Sequence, residues 1–166
     1  YDIDTLLNTE PMSLLERVKQ PKLGTQYIKI QMVALIGTNI GKMLSLEKEY
    51  GSIDNFYQNF IDTDPTLKTL VKVLSAEGKP HKYAQMGEAL TAEYLKNVGY
   101  DIAKPDRHIC RILGGEHLGC HNNAEVPKYE VFDLVAEVAT YLNRHTAEID
   151  YILWSYCANG YGEICS

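Results

Sequence analysis

Apolar residues recur at helical spacing along nearly the whole chain, and each run is cut by a glycine, a proline or a capping side chain. No stretch alternates apolar and polar residues as a half-buried strand requires. The pattern therefore predicts an all-α fold of short helices joined by tight breaks. Pro11 starts an amphipathic stretch, Met12–Val18, which Gln20-Pro21-Lys22-Leu23-Gly24 interrupts. A mostly buried helix is expected over Tyr27–Leu35 and another over Asn39–Tyr50, the latter stopped by Gly51. Ser52 caps the next, with Ile53, Phe56, Tyr57 and Phe60 on its apolar side. Asp64-Pro65 has the order cap then proline and predicts a helix through Leu74. Gly87–Val98 stops at Gly99, Asp106–Leu113 follows, and Gly114–Asn123 reads as a loop. Pro127–Leu142 is the longest periodic run, and Ala147–Cys157 is the last.

With 166 residues, 45% of them hydrophobic, the chain has the material for one domain, residues 1–166, divided into two small helical lobes sharing a cleft. The formal net charge of -6 argues against a surface that is basic all over, though not against a local basic face. Lys79, Lys82, Lys96, Lys104, Arg107 and Arg111 cluster in one part of the sequence, with His81 and His108 among them. Glu88, Glu93, Asp101 and Asp106 dilute that cluster. No apolar run approaches the ~18 residues that span a bilayer, so no membrane partner is expected. Four irregularly spaced cysteines do not resemble a secreted disulfide framework, which makes a reducing, cytoplasmic setting the default expectation; a monomer is expected as well. The chain starts at Tyr1 rather than Met and stops just after Cys165, so truncation at both ends is expected.

The stretch Gly99-Tyr100-Asp101-Ile102-Ala103-Lys104-Pro105-Asp106-Arg107-His108-Ile109-Cys110-Arg111 carries the strongest chemical signal. Pro105 has a fixed φ and no amide to donate, so it suits a loop-to-helix junction. Asp106 then falls at the N-cap or first turn, where free amides and the helix dipole favour the ionised carboxylate. Such a charge beside basic residues suits stabilisation of a developing cation. The plainer reading is a helix cap and nothing more. Just upstream, Tyr83-Ala84-Gln85-Met86-Gly87-Glu88-Ala89-Leu90-Thr91 has the form of a hairpin turn opening a helix, whose unpaired amides can hold a phosphate oxygen. A weaker version stands at Ile36-Gly37-Thr38-Asn39-Ile40-Gly41-Lys42-Met43-Leu44.

Taken together, a hairpin, a helix, a glycine break, then Pro-Asp-X-His and a basic helix resemble the helix-hairpin-helix DNA glycosylase superfamily. This is the endonuclease III and adenine glycosylase group, with its Leu-Pro-Gly-Val-Gly-Arg-Lys-Thr-Ala and Val-Asp-Thr-His motifs. Tyr83–Thr91 stand on the first motif and Pro105–His108 on the second. The resemblance covers residues 27–165 and is sharpest over 83–113. It implies a two-lobed all-α fold with a helix-hairpin-helix motif, acting on lesion-bearing double-stranded DNA and flipping the target nucleotide into a pocket. It makes Asp106 the catalytic aspartate. Gln85, Gly87, Glu88 and Ala89 become the hairpin contacts to DNA, joined by Lys104, Arg107, His108 and Arg111.

Gln85 stands where the family has its first hairpin glycine, which predicts a distorted turn. Ala89 stands where bifunctional members carry the lysine that attacks the sugar, so the resemblance implies a base-excision glycosylase without lyase action. Lys82, Lys96 and Lys104 are candidate substitutes for that amine, at spacings that do not match the motif. Trp154–Cys165 resembles the end of the last helix in members that carry an iron–sulfur cluster. Cys165 would be the first ligand of such a cluster, which needs three more thiolates, so none is expected here and one belongs only to a longer form.

Three other readings accompany this one. The first is a non-catalytic helix-hairpin-helix module that binds DNA. The second is a zinc-stabilised helical interaction domain built on Cys110, His117, Cys120 and His121, whose residue types suit zinc but whose spacing fits no standard finger. The third assigns Tyr27, Tyr83, Trp154 and Tyr156 to a base pocket, against the plainer expectation that tyrosines, twelve of them in this chain, pack in the core. Asp150 and Glu163 are candidate secondary carboxylates near the groove, against the plainer expectation that they are solvated charges at helix ends.

Overall fold

The computed structural model describes residues 2–19 and 28–158, which form helices and no strand. The elements are α1 (Ile3–Leu7), α2 (Pro11–Lys19), α3 (Ile28–Ala34), a π-helical turn (Leu35–Asn39), α4 (Ile40–Tyr50), α5 (Ile53–Ile61) and α6 (Lys68–Ser75). They continue with α7 (Glu88–Asn97), α8 (Arg107–Ile112), α9 (Lys128–Tyr141) and α10 (Thr146–Ala158). The chain is all-α over these residues, and none of their helices is long and apolar enough to cross a membrane.

Local chemistry sets most of the boundaries. Gly51 takes φ 82° and ends α4 in the left-handed conformation that only glycine adopts freely. Ser52 then accepts a hydrogen bond from the Asn55 amide at 3.0 Å and opens α5. The short α1, for which the sequence pattern makes no provision, opens in the same way on Asp2, which accepts from the Thr5 amide.

Three expectations fail, the first being the burial of α3, whose Ile30 and Val33 are exposed. Asp64-Pro65 does not begin a helix. Leu67 takes φ 60°, and α6 starts only at Lys68. Asp64 acts from outside the helix, accepting from the Thr66 hydroxyl at 2.6 Å and from the Thr69 amide at 2.8 Å. Leu67 itself is almost fully buried in the core, and that burial offsets the cost of a left-handed non-glycine residue. The second, weaker hairpin at Ile36–Leu44 is no turn at all. The π-helical turn runs straight into α4, so Gly37 and Gly41 lie inside continuous helix.

The helices enclose two apolar cores. One gathers Leu46, Phe56, Tyr57, Leu70, Val71, Leu74, Tyr83, Leu95 and Ile102, with Phe132 reaching in from α9. The other gathers Ala103, Ile109, Ile112, Leu113, Val131, Val135 and Ile149 from α8, α9 and α10. Consecutive residues Ile102 and Ala103 thus belong to different cores, so the loop before α8 passes between them. Buried tyrosines in the first core satisfy one another: the Tyr57 hydroxyl lies 3.0 Å from that of Tyr83 and 3.3 Å from that of Tyr94. Burial pushes the Tyr83 phenol up to about 12 and that of Tyr57 further still, so both remain neutral hydrogen-bonding groups.

Leu74 has no exposed surface at the centre of the first core. Leu74→Ala is expected to lower the unfolding free energy by about 3 kcal/mol, through lost apolar burial and the cavity left behind. Denaturant titration followed by circular dichroism measures it; a loss under about 1 kcal/mol would contradict a close-packed core at this position.

Candidate functional site

The hairpin between α6 and α7 is held from outside itself. The Asn39 amide side chain, buried at the end of the π-helical turn, meets the Ala84 peptide on both sides. It accepts from the Ala84 N–H at 2.7 Å and donates to the Ala84 carbonyl at 3.1 Å. The Tyr83 amide donates to the Leu74 carbonyl at 2.8 Å, and Lys42 Nζ donates to the Lys82 carbonyl. Within this frame Gln85 takes φ 59°. Gln85 thus adopts the left-handed conformation that glycine takes more freely, and the turn closes around it. Gly87 is the N-cap of α7, and its carbonyl accepts from the Thr91 amide at 2.8 Å. A hollow of about 890 Å³ lies alongside, walled by Lys42, Lys79, Lys82, Gln85 and Gly87, with the buried Ser75 hydroxyl at its edge.

Asp106 is the N-cap of α8. Its Oδ1 accepts from the His108 amide at 3.0 Å and from the Ile109 amide at 3.1 Å. Two backbone donors on one oxygen fix the rotamer and satisfy two of the free amides of the first turn. The second oxygen, Oδ2, lies 3.8 Å from Lys104 Nζ. Asp106 also lines a cavity of about 530 Å³ with Ala89, Arg107, Glu125 and Lys128 among its other walls. The first turn of α7, immediately beyond the hairpin, therefore faces the same space as the Asp106 carboxylate. The far wall exists because the loop after α8 folds back tightly. At Gly114 a Cβ would sit 1.9 Å from the Ala124 carbonyl oxygen, so only glycine fits, and the Val126 amide returns to the Cys110 carbonyl at 2.9 Å.

Much of the positive charge near this cavity is already paired. Lys104 Nζ lies 3.1 Å from Glu93, Arg111 Nε lies 2.8 Å from Glu125, and Glu88 lies 3.3 Å from Lys128. Its own backbone hydrogen bond, reinforced by Lys128, holds the Glu88 carboxyl below its usual range despite partial burial. Arg107 is exposed on the rim, whereas the buried Nδ1 of His108 has no partner among the described residues. Lys128 and Lys42 are the cations that sequence reasoning passed over. Their signal, a lysine directly after Pro127 and one inside an apparent glycine turn, is indistinct until the fold brings them to these cavities.

Asp150 corrects an expectation. It is not a solvated helix-end charge: it is 2% exposed and sits 2.7 Å from Lys96 Nζ. Burial pushes its carboxyl above the usual range, opposed by Lys96 and by the Lys104 amide. Beside it Tyr151 and Trp154 stack at 6.4 Å, both substantially exposed, on a pocket of about 190 Å³ with Glu93, Lys96 and Lys104. Tyr83, by contrast, is fully buried in the first core and cannot line a base pocket; Tyr156 is exposed on α10. Tyr27, Glu163 and Cys165 lie outside the described residues.

The four zinc-ligand candidates do not converge. Cys110 is buried in the second core and Cys120 is exposed, while His121 Nδ1 accepts from the Asn123 amide. Among the described residues no three His, Cys, Asp or Glu side chains group as a metal site. No family model, curated protein or solved structure matches the chain.

Burial raises the Cys110 thiol to about 11, with Glu125 and Asp106 adding to the effect. In the native protein at neutral pH, iodoacetamide is expected to alkylate Cys120 and spare Cys110 until denaturant is added. Peptide mass mapping reads both sites, and equal labelling of the two would contradict the buried position of Cys110.

Proposed function

We propose that the chain is a helix-hairpin-helix DNA glycosylase, two-lobed and monofunctional, that hydrolyses the N-glycosidic bond of a damaged or mismatched base in duplex DNA. One observation carries this reading. A carboxylate is locked by two amides through one oxygen, and it shares a cavity with the first turn of α7, the helix that the hairpin opens. The left-handed Gln85 supports it further, since it takes the conformation that a glycine at that position would adopt. So do the two cores, with the Asp106 loop passing between them.

In this mechanism the bond from C1′ of the deoxyribose to the base breaks, with its electron pair leaving on the base nitrogen. Positive charge builds on the sugar, and Asp106, already oriented, stabilises it; a charge placed before the reaction needs no reorganisation as the reaction proceeds. Water adds at C1′, and its proton ends on the departing base. Ala89 offers no amine at the position next to the hairpin, so no Schiff base forms there. Among the described residues Lys128 is the one primary amine lining that cavity, and Glu88 pairs with it. The lysines beside the hairpin, Lys42, Lys79 and Lys82, would face the phosphate backbone, together with Arg107.

Asp106→Asn tests the chemistry. Asparagine caps a helix about as well as aspartate, so folding and duplex binding should persist. Base release from a panel of single-lesion duplexes should fall about 100-fold or more, the scale of losing one preplaced charged or polar group. Undiminished release by the variant removes Asp106 from the mechanism. Running each reaction with and without alkali separates hydrolysis from lyase cleavage. A wild-type protein that binds duplex but frees no base from any lesion would instead be the non-catalytic DNA-binding module.

Lys79→Ala tests the surface. Lys79 is exposed at the hairpin hollow, and losing one phosphate contact should reduce the slope of log affinity against log salt by about 0.9. An unchanged slope in fluorescence-anisotropy titrations would place the DNA elsewhere.

A further inference from the structure

The loop from Gly99 to Asp106 is tied to α10 at both of its ends, in opposite senses. At its start, Asp101 caps α10: Oδ2 accepts from the Thr146 amide at 3.1 Å and Oδ1 from the Ala147 amide at 2.8 Å. At its end, α10 returns a carboxylate to the loop. Asp150 Oδ1 accepts from the Lys104 amide at 2.8 Å, while its Oδ2 takes the Lys96 ammonium at 2.7 Å. Lys96 belongs to α7, so the pair also ties α7, of the first core, to α10, of the second.

The chain of contacts continues to the carboxylate. The Lys104 carbonyl accepts from the Asp106 amide at 2.8 Å, and Asp106 then caps α8. The Lys104 side chain reaches Glu93 at 3.1 Å and Asp106 at 3.8 Å. The Lys104 peptide is thus held on its N–H side by Asp150 and presents its carbonyl to Asp106. A pair between a buried carboxylate and a partly exposed lysine is a poor device for stability alone, because desolvation of Asp150 offsets much of the Coulombic gain. Its use here is geometric, since it fixes where one peptide unit sits.

We propose that Asp150 and Lys96 are positioning residues: a clasp between α10 and α7 that sets the Lys104 peptide and, through it, the Asp106 carboxylate. The pair need not touch DNA to do this. The inference rests on the glycosylase reading only for its catalytic consequence, because the mechanical part stands on the structure by itself.

The experiment pairs two readouts on full-chain protein. The first is amide hydrogen exchange by NMR, comparing the Lys104 amide with the core amides of Leu70 and Val71. Asp150→Ala removes the acceptor and should speed exchange at Lys104 about tenfold relative to those core amides. Asp150→Asn keeps an acceptor oxygen at the same place and should hold the rate within about threefold of wild type. Should Asp150→Ala fail to fold, Lys96→Met carries the test, because loss of the ammonium frees Asp150 and should loosen the same amide. Exchange at Lys104 that tracks only the core, or equal rates in the Ala and Asn variants, overturns the proposal.

The second readout is single-turnover base release set beside duplex affinity. Asp150→Ala should slow release at least tenfold while affinity stays within twofold, and Asp150→Asn should recover most of the rate. A fall in affinity with an unchanged release step would overturn the positioning role. Absence of base release in the wild-type protein would refute the glycosylase reading and leave the exchange result to decide the clasp.

Discussion

Everything near the Asp106 cavity depends on how a non-helical stretch crosses from one apolar core to another. Ile102 is buried on one side and Ala103 on the other, so the backbone between them has no helix or sheet partner to satisfy it. A buried peptide must find its hydrogen bonds somewhere. The Lys104 amide finds its acceptor on α10, in Asp150, and the Asp101 side chain in return accepts from the first amides of α10. The consequence is a rigid approach to α8, ending on a side chain whose orientation two amides fix.

Charge is used in the same economical way. The chain carries 16 basic residues against 22 acidic ones, and many of the basic side chains near the cavity are held by carboxylates. A lysine count from the sequence therefore overstates the free positive surface. Beside the hairpin, Lys42, Lys79 and Lys82 border one hollow, where Lys82 is in turn paired with Glu77 at 3.3 Å and Glu88 also lines the wall. Partly exposed ion pairs of this kind contribute little to stability, so their value lies in orientation and in the field they leave over the surface.

The helices and several of their caps were legible because they are local events. Gly51, Ser52 and Asp106 each act within a few residues of their own position, and the structure has them in those roles. The failures have non-local causes. Asp64-Pro65 resembles a helix start, yet burial of Leu67 moves the start to Lys68. Ile36–Leu44 resembles a turn, yet the chain runs through it as helix. Asp150 resembles an exposed helix charge, and nothing nearby in the sequence announces Lys96, which is its partner across the fold. The Asp106 cavity was half legible: Asp106 and Ala89 carry a pattern, but Lys128 and Glu125 arrive there only through the fold-back at Gly114.

Asn39 has a wider consequence. By mimicking a peptide group, it pairs with Ala84 as a neighbouring strand would, lending a lone turn the register of a sheet. A bend scaffolded in this way does not require its own residues to prefer the bend. The restraint on the turn thus sits some forty-five residues away in sequence, at Asn39, and Gln85 holds its left-handed backbone within it.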